Sequence, residues 1–177
     1  VGHRSRGAEF AIFNSDGSKA TQGEVGEIAF KAPWMLTDYY QCSGLAADSF
    51  IDGYFRTGDL GKFEGDYLYL TGRLKEIINV GGKKVSPYQV EDILNQHEYV
   101  LESACIPYAD KDMGEVVQAF IVLESNVPND FELVVEQLRQ QVASHLPVHM
   151  RPERYQQLSA LPKTASGKLQ RLKLASM

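Results

Sequence analysis

Three short stretches of the chain hold charged or glycine residues that local folding does not call for. In Tyr54-Phe55-Arg56-Thr57-Gly58-Asp59-Leu60 a carboxylate follows a glycine in a stretch opened by aromatics. An ionised Asp can accept two hydrogen bonds from a vicinal diol, and the glycine lets a ligand come close. A capped turn closing a hairpin is the plainer reading, and from these residues alone it is preferred. The second stretch is Gly72-Arg73-Leu74-Lys75-Glu76, followed by Gly81-Gly82-Lys83-Lys84. It lies where the sequence pattern changes, as a domain joint would; its plain reading is a solvated charged link and a hairpin tip. The third, Leu161-Pro162-Lys163-Thr164-Ala165-Ser166-Gly167-Lys168, is a loop of small residues that presents a lysine. Such a lysine can set one mobile positive charge on a phosphate or carboxylate. By itself this stretch reads first as a surface loop.

Several other chemistries fail on spacing. Ser166-Gly167-Lys168 is not a nucleotide phosphate loop, because Pro162 stands where the leading glycine is required and Leu169 replaces the Ser or Thr after the lysine. His145 and His149 have the i, i+4 spacing of metal ligands, but Pro147 between them breaks the helix that would align them, so no metal site is assigned. Asp110, Asp112 and Glu115 around Gly114 imitate the start of a calcium loop, with the glycine one position early and the distal Glu missing. They read as a turn between strands. Tyr54, Tyr67 and Tyr69 read as packing residues, since no basic stripe accompanies them as it would on a base-stacking surface.

The elements that would position these stretches fall into two regions. Residues 1–72 are β-rich: Glu9–Phe13, Gly26–Phe30 and Tyr67–Leu70 are apolar or aromatic runs, with positive φ or tight turns expected at Asn14–Gly17, Gly23, Gly53, Gly58, Gly61 and Glu64–Asp66. From Glu76 the pattern turns to mixed α and β. Glu76–Val80 and Lys83–Val85 flank Gly81-Gly82 as a hairpin. Ser86-Pro87-Tyr88-Gln89 predicts a helix start, with Ser86 as N-cap and Gln89 closing a capping box. Val90, Ile93, Leu94 and His97 give that helix one buried face. A second helix is capped by Asn129 with Glu132, carries the stripe Phe131, Val134, Val135, Leu138 and Val142, and ends before Pro147. Strands are expected at Leu101–Ile106, Val116–Leu123 and Tyr155–Leu158. The expected fold class is α+β: a β-rich region followed by a short antiparallel sheet covered by two helices.

Composition narrows the function classes. The 177 residues allow one domain or two small ones, and 44% hydrophobic with 23% charged residues is the balance of a folded chain. Eighteen Lys+Arg against 23 Asp+Glu leave a net charge of −5, which argues against a nucleic-acid partner. Cys42 and Cys105 form no CxxC pair, so a disulfide framework is not expected and the reducing cytoplasm fits best. No run is long and apolar enough for a membrane span, and the start, VGHRSRGAEF, lacks the core of a signal peptide. The first residue, Val1 in place of Met, points to a processed or cut chain.

Taken in order, YFRTGDLG, GRLKEIINVGGKKVSPYQVEDIL and LPKTASGKLQR resemble the late motifs of the adenylate-forming superfamily, which comprises acyl-CoA and aryl-CoA ligases, carrier-loading adenylation domains and firefly-type luciferases. The preceding GEVGEIAFKAPWMLTDYY belongs to the same likeness, which runs from Glu24 to Arg171. One such stretch is weak evidence; three in family order are specific. The resemblance implies that Asp59 holds the ribose hydroxyls of ATP or an acyl-adenylate, with Arg73 near the same nucleotide and Lys75 as the hinge. It implies Lys168 as the catalytic lysine between carboxylate and α-phosphate, and Gly81, Gly82 and Lys83 as the lining of a pantetheine tunnel.

The activity so implied has two steps. A carboxylate and Mg-ATP give acyl-AMP and pyrophosphate, then the thiol of CoA displaces AMP, with a swing of the small domain between the steps. The family's phosphate loop, its magnesium-binding Glu and most of its acyl pocket would lie upstream. Residues 1–73 are therefore expected to be the tail of a large N-terminal domain and 74–177 the whole small C-terminal domain. Mg2+ would bind mainly outside this chain, and the chain alone should not adenylate. The leading reading is the C-terminal portion of an acid–CoA ligase, favoured by an end six residues after Arg171. The alternatives are an adenylation domain that loads a carrier protein and a non-catalytic module of the same fold. Asp59, Arg73, Lys75 and Lys168 together argue against the last.

Overall fold

The computed structural model describes residues 2–3, 5–35, 47–125, 127 and 130–177. Cys42, the stretch Leu36–Tyr40 and the expected cap Asn129 lie outside them. The chain forms two compact units, Val1–Lys75 and Glu76–Met177.

The first unit is built from β1 (Gly2–His3), β2 (Glu9–Phe13), β3 (Gly26–Lys31), β4 (Phe50–Ile51), β5 (Tyr54–Glu64) and β6 (Tyr67–Arg73). They form one antiparallel sheet in the order β1-β6-β5-β3-β2, with β4 added to β5. Ile12, Ile28 and Phe63 form its small core. Gly58 and Gly61, expected at positive φ or in tight turns, both lie inside the long strand β5, and of the two Gly58 has the positive φ. Each glycine here solves a problem of sheet geometry. A Cβ on Gly61 would stand 2.4 Å from the Tyr69 carbonyl oxygen, so the neighbouring strand leaves no room for a side chain. Gly58 has φ +73° and sits in a bulge: Ala29 pairs with Arg56 and Glu27 with Leu60, so Thr57, Gly58 and Asp59 together oppose Ile28.

The second unit contains β7 (Ile78–Val80), β8 (Lys83–Val85), α1 (Pro87–Leu94), β9 (Val100–Asp110), β10 (Gly114–Leu123), α2 (Phe131–His145), β11 (Arg154–Gln157) and α3 (Arg171–Leu174). The sheet runs β11-β10-β7-β8, with β9 also on β10. One departure from an antiparallel sheet is the parallel β10–β11 pair, Gln118 against Arg154 through Ile121 against Gln157. The long connection through α2 makes that direction accessible.

Both faces of this sheet are buried. Val90 and Leu94 of α1 and Val134, Leu138 and Val142 of α2 pack with Cys105, Val117, Ala119 and Ile121 on one face. Ala104, Ile106, Phe120 and Val122 point to the other, where Leu161 and Leu174 cover them. This double burial explains the unbroken apolar run Ala119–Leu123. It also extends the expected two-helix cover: the C-terminal segment is a third layer.

The helix ends differ in detail from expectation. Ser86 occupies the N-cap position of α1, but its side chain makes no capping bond. Pro87 has already removed one of the orphan N–H groups a cap would serve. The helix stops at Leu94, so His97 lies beyond it, its Nδ1 accepting from the Tyr99 N–H at 3.2 Å. In α2 the capping side chain is that of Asp130, which accepts from the Glu132 N–H at 3.1 Å. Past its C-terminus, Arg151 donates to the carbonyls of Leu146 and Ala143 at 2.9 and 3.0 Å. Those are orphan acceptors of a helix end.

Candidate functional site

In the first unit, Asp59 and Arg73 stand directly opposite each other on β5 and β6, with Arg73 Nε 3.1 Å from Asp59 Oδ1. Their side chains are 33% and 64% exposed, and an ion pair this open is worth only about 0–1 kcal/mol. A ligand hydroxyl can therefore take its place cheaply. The bulge that presents Asp59 is clamped to β3. Buried Glu27 accepts from Arg56 Nε and Nη2 at 2.9 and 2.6 Å through one oxygen, and from the Gly58 N–H at 3.2 Å through the other. Thr57 donates its hydroxyl to the Ile28 carbonyl at 2.7 Å and accepts the Asp59 N–H at 3.1 Å. The hydrogen bonds to Glu27 outweigh burial and hold the Arg56 guanidinium above its usual value. Glu27 was absent from the sequence candidates; its one signal was an acid inside the apolar strand GEIAF.

Lys75 closes the first unit, exposed, within the 3-10 turn Leu74–Glu76. In the second unit, Gly81 and Gly82 form the tip of the β7–β8 hairpin with φ +55° and +79°, a two-residue turn that favours glycine at both positions. Gly81 donates to the Met113 carbonyl at 2.9 Å, and a Cβ on it would stand 2.7 Å from Met113 Cε. Space beside Gly82 is open, and Lys83 is exposed.

Lys168 is exposed on a loop that bonds to itself. The Thr164 N–H donates to the Lys168 carbonyl at 2.8 Å, the Lys168 N–H to Thr164 Oγ1 at 3.1 Å, and the Gly167 N–H to the Thr164 carbonyl at 2.9 Å. The Gln170 N–H closes the base on the Pro162 carbonyl at 2.8 Å. Lys163 pairs with Glu102, which fastens one limb to β9. Among the described residues no carboxylate pairs with Lys168.

The other limb leads to Arg171, also missed from sequence. Its guanidinium donates to Glu91 Oε1 and Oε2 at 2.5 and 3.0 Å, to Glu76 Oε2 at 3.0 Å and to the Cys105 carbonyl at 2.9 Å. Burial works against its charge, but the bonds and charge of Glu91 prevail and hold it above the ordinary arginine value. Burial first, then the Glu91 charge, pushes the Cys105 thiol well up, which makes it inert.

No group of three or more His, Cys, Asp or Glu among the described residues could hold a metal ion, so Mg2+ does not fit the residues present and no step is assigned through it. Asp110 caps the β9–β10 turn by accepting from the Asp112 and Met113 N–H groups, both at 2.9 Å. Tyr67 packs on His3 with ring centroids 4.2 Å apart, and Tyr54 lies edge-on to Phe13.

Residues 89–168 match the AMP-binding enzyme C-terminal domain. The chain belongs to the adenylate-forming superfamily. It is 33% identical over 173 residues to sulfoacetate–CoA ligase of Cupriavidus necator, covering 97% of this chain and 33% of that protein. It is 30% identical over 178 residues to the fatty acid–[acyl-carrier-protein] ligase ScoC of Streptomyces coeruleorubidus, covering 98% and 33%. Among solved structures it resembles the o-succinylbenzoate CoA synthetase MenE of Bacillus subtilis in complex with the acyl-adenylate OSB-AMP. There the TM-score is 0.83 at 30% identity, over 96% of this chain and 34% of that one. The chain thus spans about a third of the length of the relatives it matches. Among its described residues no helix is long and apolar enough to cross a membrane.

Proposed function

We propose that the chain is the C-terminal portion of an ATP-dependent acid–CoA ligase, which activates a carboxylate as acyl-AMP and passes the acyl group to CoA. The observation that carries this reading is the division of labour between the units. One presents the Asp59–Arg73 pair on a clamped bulge, and the other presents both a self-bonded loop bearing Lys168 and an open glycine hairpin. In this reading Asp59 accepts from the ribose hydroxyls and Arg73, freed from Asp59, stays beside the nucleotide. Adenylation places charge on the attacking carboxylate oxygen and on the α-phosphate, and the Lys168 ammonium stabilises both without forming a bond. A turn of the second unit about Lys75 then exchanges Lys168 for the Gly81–Gly82 hairpin, where Lys83 and the missing side chains let a pantetheine thiol approach.

The remaining two thirds of the enzyme would supply the phosphate loop, the magnesium site and the acyl pocket, so the 177 residues alone should not exchange pyrophosphate into ATP. In the full-length enzyme, Lys168→Ala should slow acyl-AMP formation about 10²–10³-fold and spare thioester formation from supplied acyl-AMP. Equal loss of both steps would refute the assignment. The likeness to ScoC favours one second reading, transfer to a carrier protein, and thioester formation on a carrier but not on free CoA would select it.

A further inference from the structure

Arg171 opens α3 just past the Lys168 loop, and one guanidinium ties it to three separate segments of the second unit. Glu76 is the first residue of that unit, Glu91 lies on α1 and Cys105 on β9. Glu91 Oε1 also accepts the Cys105 N–H at 2.6 Å, and the Tyr88 ring lies 4.8 Å from the guanidinium carbon. The Arg171 and Glu91 side chains are only 13% and 9% exposed. A buried ion pair is a poor way to gain stability, because apolar side chains of similar volume pack as well without the desolvation cost. What the arrangement supplies is direction: a planar fork held by Glu91 on one side and Glu76 on the other cannot rotate.

We propose that Arg171 is a positioning residue for Lys168. By joining Glu76, the peptide neighbour of Lys75, to the base of the Lys168 loop, it makes the loop move as one body with any rotation at Lys75. The loop's own hydrogen bonds carry that constraint from Arg171 through Gln170 and Pro162 to Thr164 and Lys168. The glycine hairpin has no part in this chain of contacts, so the role belongs to adenylation and not to thioester formation. It rests on the reading of Lys168 and Lys75 given above.

Arg171→Met would leave two carboxylates facing each other and risks unfolding, so the informative variants are Glu76→Gln and Arg171→Lys in the full-length enzyme. Both keep a partner on Glu91. Each should lower kcat for pyrophosphate exchange about tenfold or more through misplacement of Lys168. KM for ATP and the thioester step from supplied acyl-AMP should stay within about twofold. Hydrogen exchange at the Gly167, Lys168 and Gln170 amides should quicken. Unchanged exchange at these amides, or equal loss of both steps, would overturn the proposal. Lys168→Ala, measured alongside, separates the two failures. If it still adenylates, the functional reading falls; if it does not while Glu76→Gln and Arg171→Lys adenylate normally, only the positioning role falls.

Discussion

Glu27 carries no proposed chemistry, yet it joins Arg56 and the Gly58 amide so that the bulge bearing Asp59 keeps one shape. A buried carboxylate that accepts from a guanidinium gains more than a neutral acceptor would, because both partners are charged. Glu27→Gln keeps the shape and removes the charge. It should cost about 1–3 kcal/mol in urea denaturation. In the full-length enzyme it should also weaken nucleotide binding, since Asp59 loses its support. A variant as stable as the parent would show that Thr57 and Ile28 hold the bulge unaided.

At the scale of elements, the β9–β10 turn and the β7–β8 hairpin meet where Gly81 donates to Met113. Hydrogen bonds from the Met113 and then the Asp112 amides favour the ionised Asp110 carboxylate and set it below its usual range. Its stabilisation is therefore complete above the ordinary carboxylate value and fades as pH falls through the lowered one. Asp110→Asn should melt below the parent at neutral pH, with the two Tm curves converging in acid; parallel curves would remove Asp110 from the acid response. On the hairpin, Gly82→Val should impair thioester formation from supplied acyl-AMP while leaving pyrophosphate exchange intact. The added side chain would enter open space and the φ of +79° would be strained. An unaffected thioester step would count against a thiol route past this turn.

For the whole molecule, the division at Lys75 separates two hydrophobic systems. The second unit owns two cores, one under α1 and α2 and the other under the C-terminal segment. A fragment with its own core can fold alone. Residues 76–177 should therefore give a dispersed amide spectrum and a cooperative melt without the first 75 residues. A broad, non-cooperative transition would mean that the second unit depends on the first.

Much of this was legible in the chain itself. The stripe Val134, Val135, Leu138 and Val142 specified α2, Gly81-Gly82 specified a hairpin, and Val116–Leu123 a strand, because periodicity and turn chemistry are local properties. The three motif stretches likewise carried the family. Tertiary structure alone decided that Gly58 and Gly61 lie inside β5, since the carbonyl of Tyr69 and the carboxylate of Glu27 come from other strands. It alone showed that the second face of the sheet is covered and that Arg171 meets Glu76 and Glu91 across 95 and 80 residues of chain. Sequence pattern states that a face or a charge must find a partner; only the folded chain selects which distant residue satisfies it.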